Sequence, residues 1–341
     1  MAPGTPRWMR RMTGRQDRRP GATMPERSLA DGISMWGAPA SGKTTFLAAL
    51  AVALEKHPEA RWKLRGTDLR SSDALSDMEN AVVDRGEFPG ASTNVVNYNW
   101  ELVNPDPRAG RRGPLGRPRR DRTVRVPLHV FDAPGEYHNP DTWAGTDGAQ
   151  KLVQTMSSCA GFIFIYDPVH EYTHGDAYRH ANSLLNRLDY RLGNAQGGFL
   201  PQSLAVCLAK FDDDRVFSSA KAMKIVDYDQ AGDGSPYVDP DLDPERAWEF
   251  FERMCRVSPN PAAQELPGLL QLYFHPDKIK FFVTSSIGFY VNPDTRRFDP
   301  GDPRNFIREP DKLPTIRGAM NPVNVAESAL WLIGKLKGSR R

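Results

Sequence analysis

With 341 residues the chain can hold one large domain or two small ones, and its 39% hydrophobic and 26% charged content suits a protein that buries a core. Its longest apolar runs, such as Phe46 to Leu54 and Ala160 to Tyr166, are too short to cross a bilayer, and no apolar stretch follows the N-terminal arginines as a secretory signal would require. The formal charge of +3 hides an uneven distribution: residues 1–27 carry seven arginines against Asp17 and Glu26, residues 108–125 carry eight against Asp121, and the remainder is acidic.

In chain order, residues 1–29 have no periodicity and read as a disordered basic tail. A domain from 30 to 338 follows. Ile33-Ser34-Met35-Trp36 reads as a short buried strand. Next comes Gly37-Ala38-Pro39-Ala40-Ser41-Gly42-Lys43-Thr44, which fits G-x-x-x-x-G-K-[ST], the phosphate-binding P-loop. Thr45 to Glu55 holds strong helix formers and no breaker. Strand, glycine loop and helix is the order the chemistry needs. Backbone N–H groups and a helix N-terminus then surround a phosphate chain with partial positive charge. Lys43 is placed to reach the β- and γ-phosphates and the Thr44 hydroxyl to ligate Mg²⁺. A glycine-rich turn with a solvated lysine is the plainer reading, and the flanks argue against it.

Residues 69–86 show helical spacing. Phe88-Pro89-Gly90-Ala91-Ser92-Thr93 reads as a loop, Asn94 to Val103 as a strand, 104–122 as an Arg/Pro/Gly-rich insertion, and Val124 to Asp132 as a second strand. Two strands with no helix between them predict an antiparallel hairpin. Asp132 ends a buried strand, where an acid is placed to hold Mg²⁺ through water, and Gly135 offers a bare backbone N–H three residues on. Helices are predicted over 149–158, 177–192, 244–256, 262–272 and 324–337, and strands over 160–167, 203–209 and 278–283. The stretches 215–242 and 291–321 read as insertions. Strands and helices alternate, which predicts a doubly wound, mostly parallel α/β sheet with ligands at the strand C-termini. The P-loop, Asp132, Lys210-Phe211-Asp212 and Thr284-Ser285-Ser286 all follow strand ends.

This order of motifs resembles that of Ras-like P-loop GTPases, from about Asp31 to Lys337. The resemblance implies that Thr93 is a switch I threonine on Mg²⁺ and that Asp132 to Gly135 is the D-x-x-G of switch II. It also implies that Ala209-Lys210-Phe211-Asp212 stands for N/T-K-x-D, with Asp212 reading guanine and Lys210 packing over the ring. Ser285 and Ser286 then stand in the S/T-S-A loop near the base. The P-loop, the F-P-x-x-x-T stretch and Asp132-Ala133-Pro134-Gly135-Glu136 look most like bacterial double-GTPase proteins, which implies a second GTPase and effector proteins of conflict systems as partners. The chain departs from the pattern at Ala209, which lacks the polar side chain. It departs again at Glu136, where relatives carry a water-orienting Gln. The expected cofactors are GTP or GDP and Mg²⁺, with slow hydrolysis involving Lys43, Thr93, Gly135 and Glu136. An ATP-using phosphotransferase or ATPase and a non-hydrolysing nucleotide-bound scaffold are the alternatives.

Cys159, Cys207 and Cys255 are widely spaced with no C-x-x-C, so reduced thiols in a cytoplasmic setting are expected. His170, His174 and His180 invite a zinc reading, but Thr173 and Gly175 argue against a helix there, and a surface loop is the expectation. The basic stretch 108–125 lacks interleaved aromatics for base stacking. It sits at the start of a strand whose far end is Asp132, about 30 Å away at roughly 3.3 Å per residue, so catalysis is not expected of it; a docking surface for an acidic partner and a solvated disordered loop are equal readings, ahead of nucleic-acid binding.

Overall fold

In a computed structural model, the residues described are 32–57, 61–89, 96–105, 123–132, 147–193, 198–309 and 312–338; for Val96, Asn97, Phe131, Asp132 and 147–149 only the backbone is described. Seven strands form one sheet: β1 (Ile33–Gly37), β2 (Lys63–Gly66), β3 (Val96–Asn104), β4 (Val124–Asp132), β5 (Gly161–Tyr166), β6 (Ser203–Leu208) and β7 (Ile279–Val283). Their spatial order is β2-β3-β4-β1-β5-β6-β7. β3 runs antiparallel to both its neighbours, and the other pairings are parallel.

The central strands bury both faces and therefore read as continuous apolar runs. In β5 the period of two sorts the side chains: Phe162, Phe164 and Tyr166 join one core, Ile163 and Ile165 the other. The first core packs under α3 (Asp147–Ser158), α5 (Ala177–Leu192), α6 (Asp214–Ala222), α7 (Pro244–Arg256) and α8 (Leu266–Tyr273). The second packs under α1 (Lys43–Lys56), α2 (Leu69–Val83) and α9 (Val325–Gly338). The result is the expected three-layer α/β/α arrangement. No helix of the described residues is long and apolar enough to cross a membrane. The three cysteines are buried and free, and burial pushes the Cys207 thiol up to about 12.

The predicted hairpin is present as β3 and β4, paired from Val96↔Asp132 to Asn104↔Val124. Three elements depart from the sequence reading. β2 is a four-residue edge strand whose outward Lys63 and Arg65 mask its strand character. It is fastened by Glu101 on β3, whose Oε1 accepts from Arg65 Nε at 2.6 Å and from Arg125 of β4 at 2.7 Å. A helix, α4 (Pro168–His174), forms where Thr173 and Gly175 argue against one. Asp167 caps it, Pro168 opens it with a preset φ, and Gly175 ends it in the left-handed region at φ 63°. The stretch 215–242 holds most of α6 and a two-residue ladder, Asp227–Tyr228 with Pro236–Tyr237.

Candidate functional site

β1 delivers Gly37 to the C-terminal edge of the sheet between β4 and β5. A Cβ on Gly37 would lie 2.6 Å from the Ile165 carbonyl oxygen and 2.8 Å from Ser41 Oγ, so only glycine lets the loop pass this close. Two residues, Ala40 at φ 54° and Gly42 at φ 87°, take left-handed backbone and curl the loop. The Ser41 amide donates to the Ala38 carbonyl at 3.2 Å. α1 then begins at Lys43 on a glycine N-cap that supplies no side-chain hydrogen bond. The opening N–H groups of a helix have no partner within it.

Lys43 is buried, and its Nζ donates to Ala38 O at 2.9 Å and Gly37 O at 3.3 Å. Ser41 Oγ is buried with no hydrogen-bond partner inside the protein. A curled backbone, a glycine with no room for a side chain, a buried ammonium and an orphaned hydroxyl together fit the phosphate chain of a nucleotide. Thr44 and Thr45, both half-buried, open the helix beside them.

The metal expectation involves Thr44, Thr93 and Asp132. β1 and β4 pair in parallel as Met35↔Val130. Two residues further, that register sets the Asp132 backbone level with Gly37. The P-loop and the end of β4 thus leave the sheet at one edge. Thr93, Ala133, Pro134, Gly135 and Glu136 lie outside the described residues, as do the tail 1–29 and most of the 104–122 insertion.

The base-reading expectation rests on two stretches that are 73 residues apart and touch in the fold. Asp212 is buried, and its Oδ1 accepts from Ser285 Oγ at 2.5 Å. Ser285 Oγ in turn accepts from the Gly288 amide at 2.8 Å. The backbone ties the same stretches together: Phe211 N donates to Thr284 O at 3.0 Å. Gly288 sits at φ 69°, with the Asn321 carbonyl oxygen 2.0 Å from where a Cβ would be, so the turn needs glycine. Burial pushes the Asp212 carboxyl up, opposed by the Lys210 charge and the Ser285 hydrogen bond. Lys210 is half-buried at φ 63°, and Ser286 is half-buried beside Ser285. Ala209 is buried and apolar, as its departure from the motif implies.

The segment 288–321 extends this site outward. Asn305 is wholly buried and donates to Ile287 O at 2.9 Å and Ala319 O at 3.1 Å. Arg304 pairs with Asp214 at the start of α6.

The histidines lie beyond the end of β5. His170 and His174 stack with ring centroids 4.2 Å apart. Asp176 takes His170 Nε2 on one oxygen at 3.2 Å and His180 Nε2 on the other at 3.5 Å. Among the described residues no group of three or more His, Cys, Asp or Glu is arranged to hold a metal ion. Burial opposes the His170 charge, but Asp176 outweighs it and raises the imidazole above its ordinary value. Burial likewise opposes the Asp176 charge, and both histidines hold it well below the carboxylate range.

The two shifts act on opposite sides of a pH window. The raised His170 stabilises the fold below about pH 6.5, and this is lost as pH rises through its folded value. The depressed Asp176 stabilises above about pH 4, and this is lost as pH falls through its folded value. Asp176→Asn is therefore expected to lower the melting temperature more at pH 5.5 than at pH 8.5, by the equivalent of about 1 kcal/mol. An equal loss at both values would show that His170 gains no charge from Asp176.

Strand order, hairpin and curled glycine loop make a three-layer α/β fold with a mostly parallel sheet, consistent with a P-loop GTPase-like fold, and β2 and α2 lie in the chain between α1 and the hairpin. No family model matches the chain, and no curated protein matches it. Among solved structures, the GTPase-like domain of S. cerevisiae Ski7, bound to GTP, is similar with 14% identity and a TM-score of 0.39 over 89% of this chain and 49% of that one. The chain thus spans about half the length of that neighbour, and the fold assignment rests on strand order and loop geometry rather than on the likeness.

Sequence reasoning passed over Asp167. It is a buried acid directly after β5, and the available signal was an Asp-Pro pair closing six apolar residues.

Proposed function

We propose that the chain is a Mg²⁺-dependent guanine-nucleotide-binding switch that hydrolyses GTP slowly and works with protein partners. The observation that carries this is the Asp212–Ser285 hydrogen bond at 2.5 Å, which joins the K-x-D and Ser-Ser stretches on the sheet edge that holds the P-loop. Asp212 would accept from the guanine N1 and N2 groups, Lys210 would cover the ring, and Ser286 would lie near the base. Residues 37–45 would hold the phosphates. Thr44, Thr93 and Asp132 would hold Mg²⁺, which neutralises developing phosphate charge when bound. Gly135 would offer its amide to the γ-phosphate. Glu136 in place of Gln is the reason for slow turnover, since a carboxylate repels the phosphate that a glutamine would leave undisturbed. The likeness of the motifs to bacterial double-GTPases points to a second GTPase and an effector protein as partners.

Ala209 favours a second reading, an ATP-using P-loop enzyme, because the apolar side chain removes one polar contact near the base. A non-hydrolysable GTP analogue is expected to bind with Mg²⁺ and to bind at least tenfold more weakly in EDTA, and a single-turnover assay is expected to release phosphate slowly. Tight binding with no release over hours would replace the switch by a nucleotide-locked scaffold.

A further inference from the structure

We infer that Asn305 is the positioning residue that ties the base-reading loop to Gly86, so that filling the base site tightens the stretch that leads toward Thr93 in the sequence. The inference rests on the guanine-binding reading above.

The base-reading loop is held from behind. Ser285, whose hydroxyl bonds Asp212, exchanges two backbone hydrogen bonds with Val323, at 3.1 Å and 2.9 Å. Two residues on, the Ile287 carbonyl accepts from the Asn321 amide at 3.1 Å and from the Asn305 side chain at 2.9 Å. The Asn305 side-chain amide also donates to Ala319 O at 3.1 Å, and its oxygen accepts from Gly318 N at 2.9 Å. A single orientation of the amide satisfies all these bonds, and at 0% exposure solvent cannot replace a lost one.

The same residue reaches the other anchor. Its backbone carbonyl accepts from Arg317 N at 3.0 Å, and the next two residues, Phe306 and Ile307, pair antiparallel with Ile316 and Thr315. The Ile316 amide donates to Gly86 O at 2.6 Å, and Thr315 bridges Glu87. Phe88, two residues past Gly86, packs against the core under α1. Arg317 clamps the ladder from outside: its guanidinium pairs with Asp302 at 2.6 Å and lies 3.5 Å over the Tyr290 ring. The path from the Asp212–Ser285 pair to Gly86 is therefore hydrogen-bonded throughout, and Asn305 is the side chain on it that bonds both the loop and the strand facing Gly86. Ordering one member of such a unit lowers the opening of the others. A nucleotide base resting on Asp212 and Ser285 thus steadies Ile316 and, through it, Gly86.

The test is hydrogen exchange of the Ile316 amide in the full chain, with Mg²⁺ and saturating GDP or saturating pyrophosphate. Pyrophosphate fills the P-loop without a base and controls for the stabilisation that any ligand confers. In wild type GDP is expected to slow exchange of Ile316 about tenfold beyond pyrophosphate, and in Asn305→Ala this excess is expected to vanish. The same variant is expected to bind GDP about tenfold more weakly and pyrophosphate as tightly as wild type. Arg317→Ala, on the surface, loosens the same ladder; it is expected to lose the excess too and serves if the Asn305 variant folds poorly. Equal slowing by GDP and pyrophosphate in wild type, or an excess that survives in the variants, overturns the proposal. So does an equal loss of affinity for both ligands, which is what general damage to the fold would produce. A wild-type protein that binds pyrophosphate and ignores guanine nucleotides would instead overturn the reading on which the inference rests.

Discussion

Lys43→Ala is expected to reduce nucleotide affinity by about 10²–10⁴-fold. Lys43 is 5% exposed, and its ammonium donates to the Ala38 and Gly37 carbonyls of the loop. A charge-assisted hydrogen bond contributes about 1.5–3 kcal/mol, and a phosphate chain accepts two from a lysine in this position. At 1.4 kcal/mol per decade, two such bonds correspond to that range. Alanine also removes the only side chain of the motif with full positive charge, leaving the partial charges of the loop amides and the helix N-terminus to face the phosphates. Lys43→Met is the companion variant, since it keeps the apolar stem that fills the loop. The measurement is titration with GDP and Mg²⁺, beside melting of the nucleotide-free protein. Undiminished affinity in both variants would mean that Gly37 to Thr44 is not the phosphate site.

Asp212→Asn is expected to lower affinity for GDP by about 10²-fold or more and to raise affinity for xanthosine diphosphate. The amide oxygen of asparagine can still accept from Ser285 Oγ, so the link between the two loops survives. What changes is the other side-chain atom, which turns from acceptor to donor. Guanine presents N–H donors there, and donor would face donor in a buried site, where an unpaired polar group costs about 1–3 kcal/mol. Xanthine carries an oxygen in place of the 2-amino group and matches the amide. Competition between GDP and xanthosine diphosphate reads both effects in one experiment. An unchanged preference would mean that Asp212 does not touch the base. The Asp212 carboxyl is pushed up by burial, so GDP affinity is also expected to fall at a higher pH than an exposed aspartate would dictate.

Much of the fold was legible because its signals are redundant. Gly37 to Thr44 sits between an apolar strand and a breaker-free helix, and β5 and β6 are apolar runs bounded by turns. The hairpin followed from two β-rich stretches with no helix between them. Local sequence said less where tertiary bonds decide the outcome. Arg65 looks like a solvated charge until Glu101 is seen to hold it against the sheet. α4 depends on Asp167 and Gly175 at its two ends more than on its own helix propensity. The stretch 291–321 is held by two two-residue ladders and by the buried Asn305 side chain bonding distant backbone, and no periodicity announces them.

The site divides in the same way. Lys210-Phe211-Asp212 and Thr284-Ser285-Ser286 were each readable as strand-end motifs, and their direct hydrogen bond required the parallel pairing of β6 with β7.

Identity of the nucleotide that co-purifies with the protein tests the central claim most directly. Heat-denatured protein releases its ligand, which chromatography and mass identify. The account predicts GDP or GTP at close to one per chain in wild type and its loss in Lys43→Ala. An adenine nucleotide at the same occupancy would contradict it.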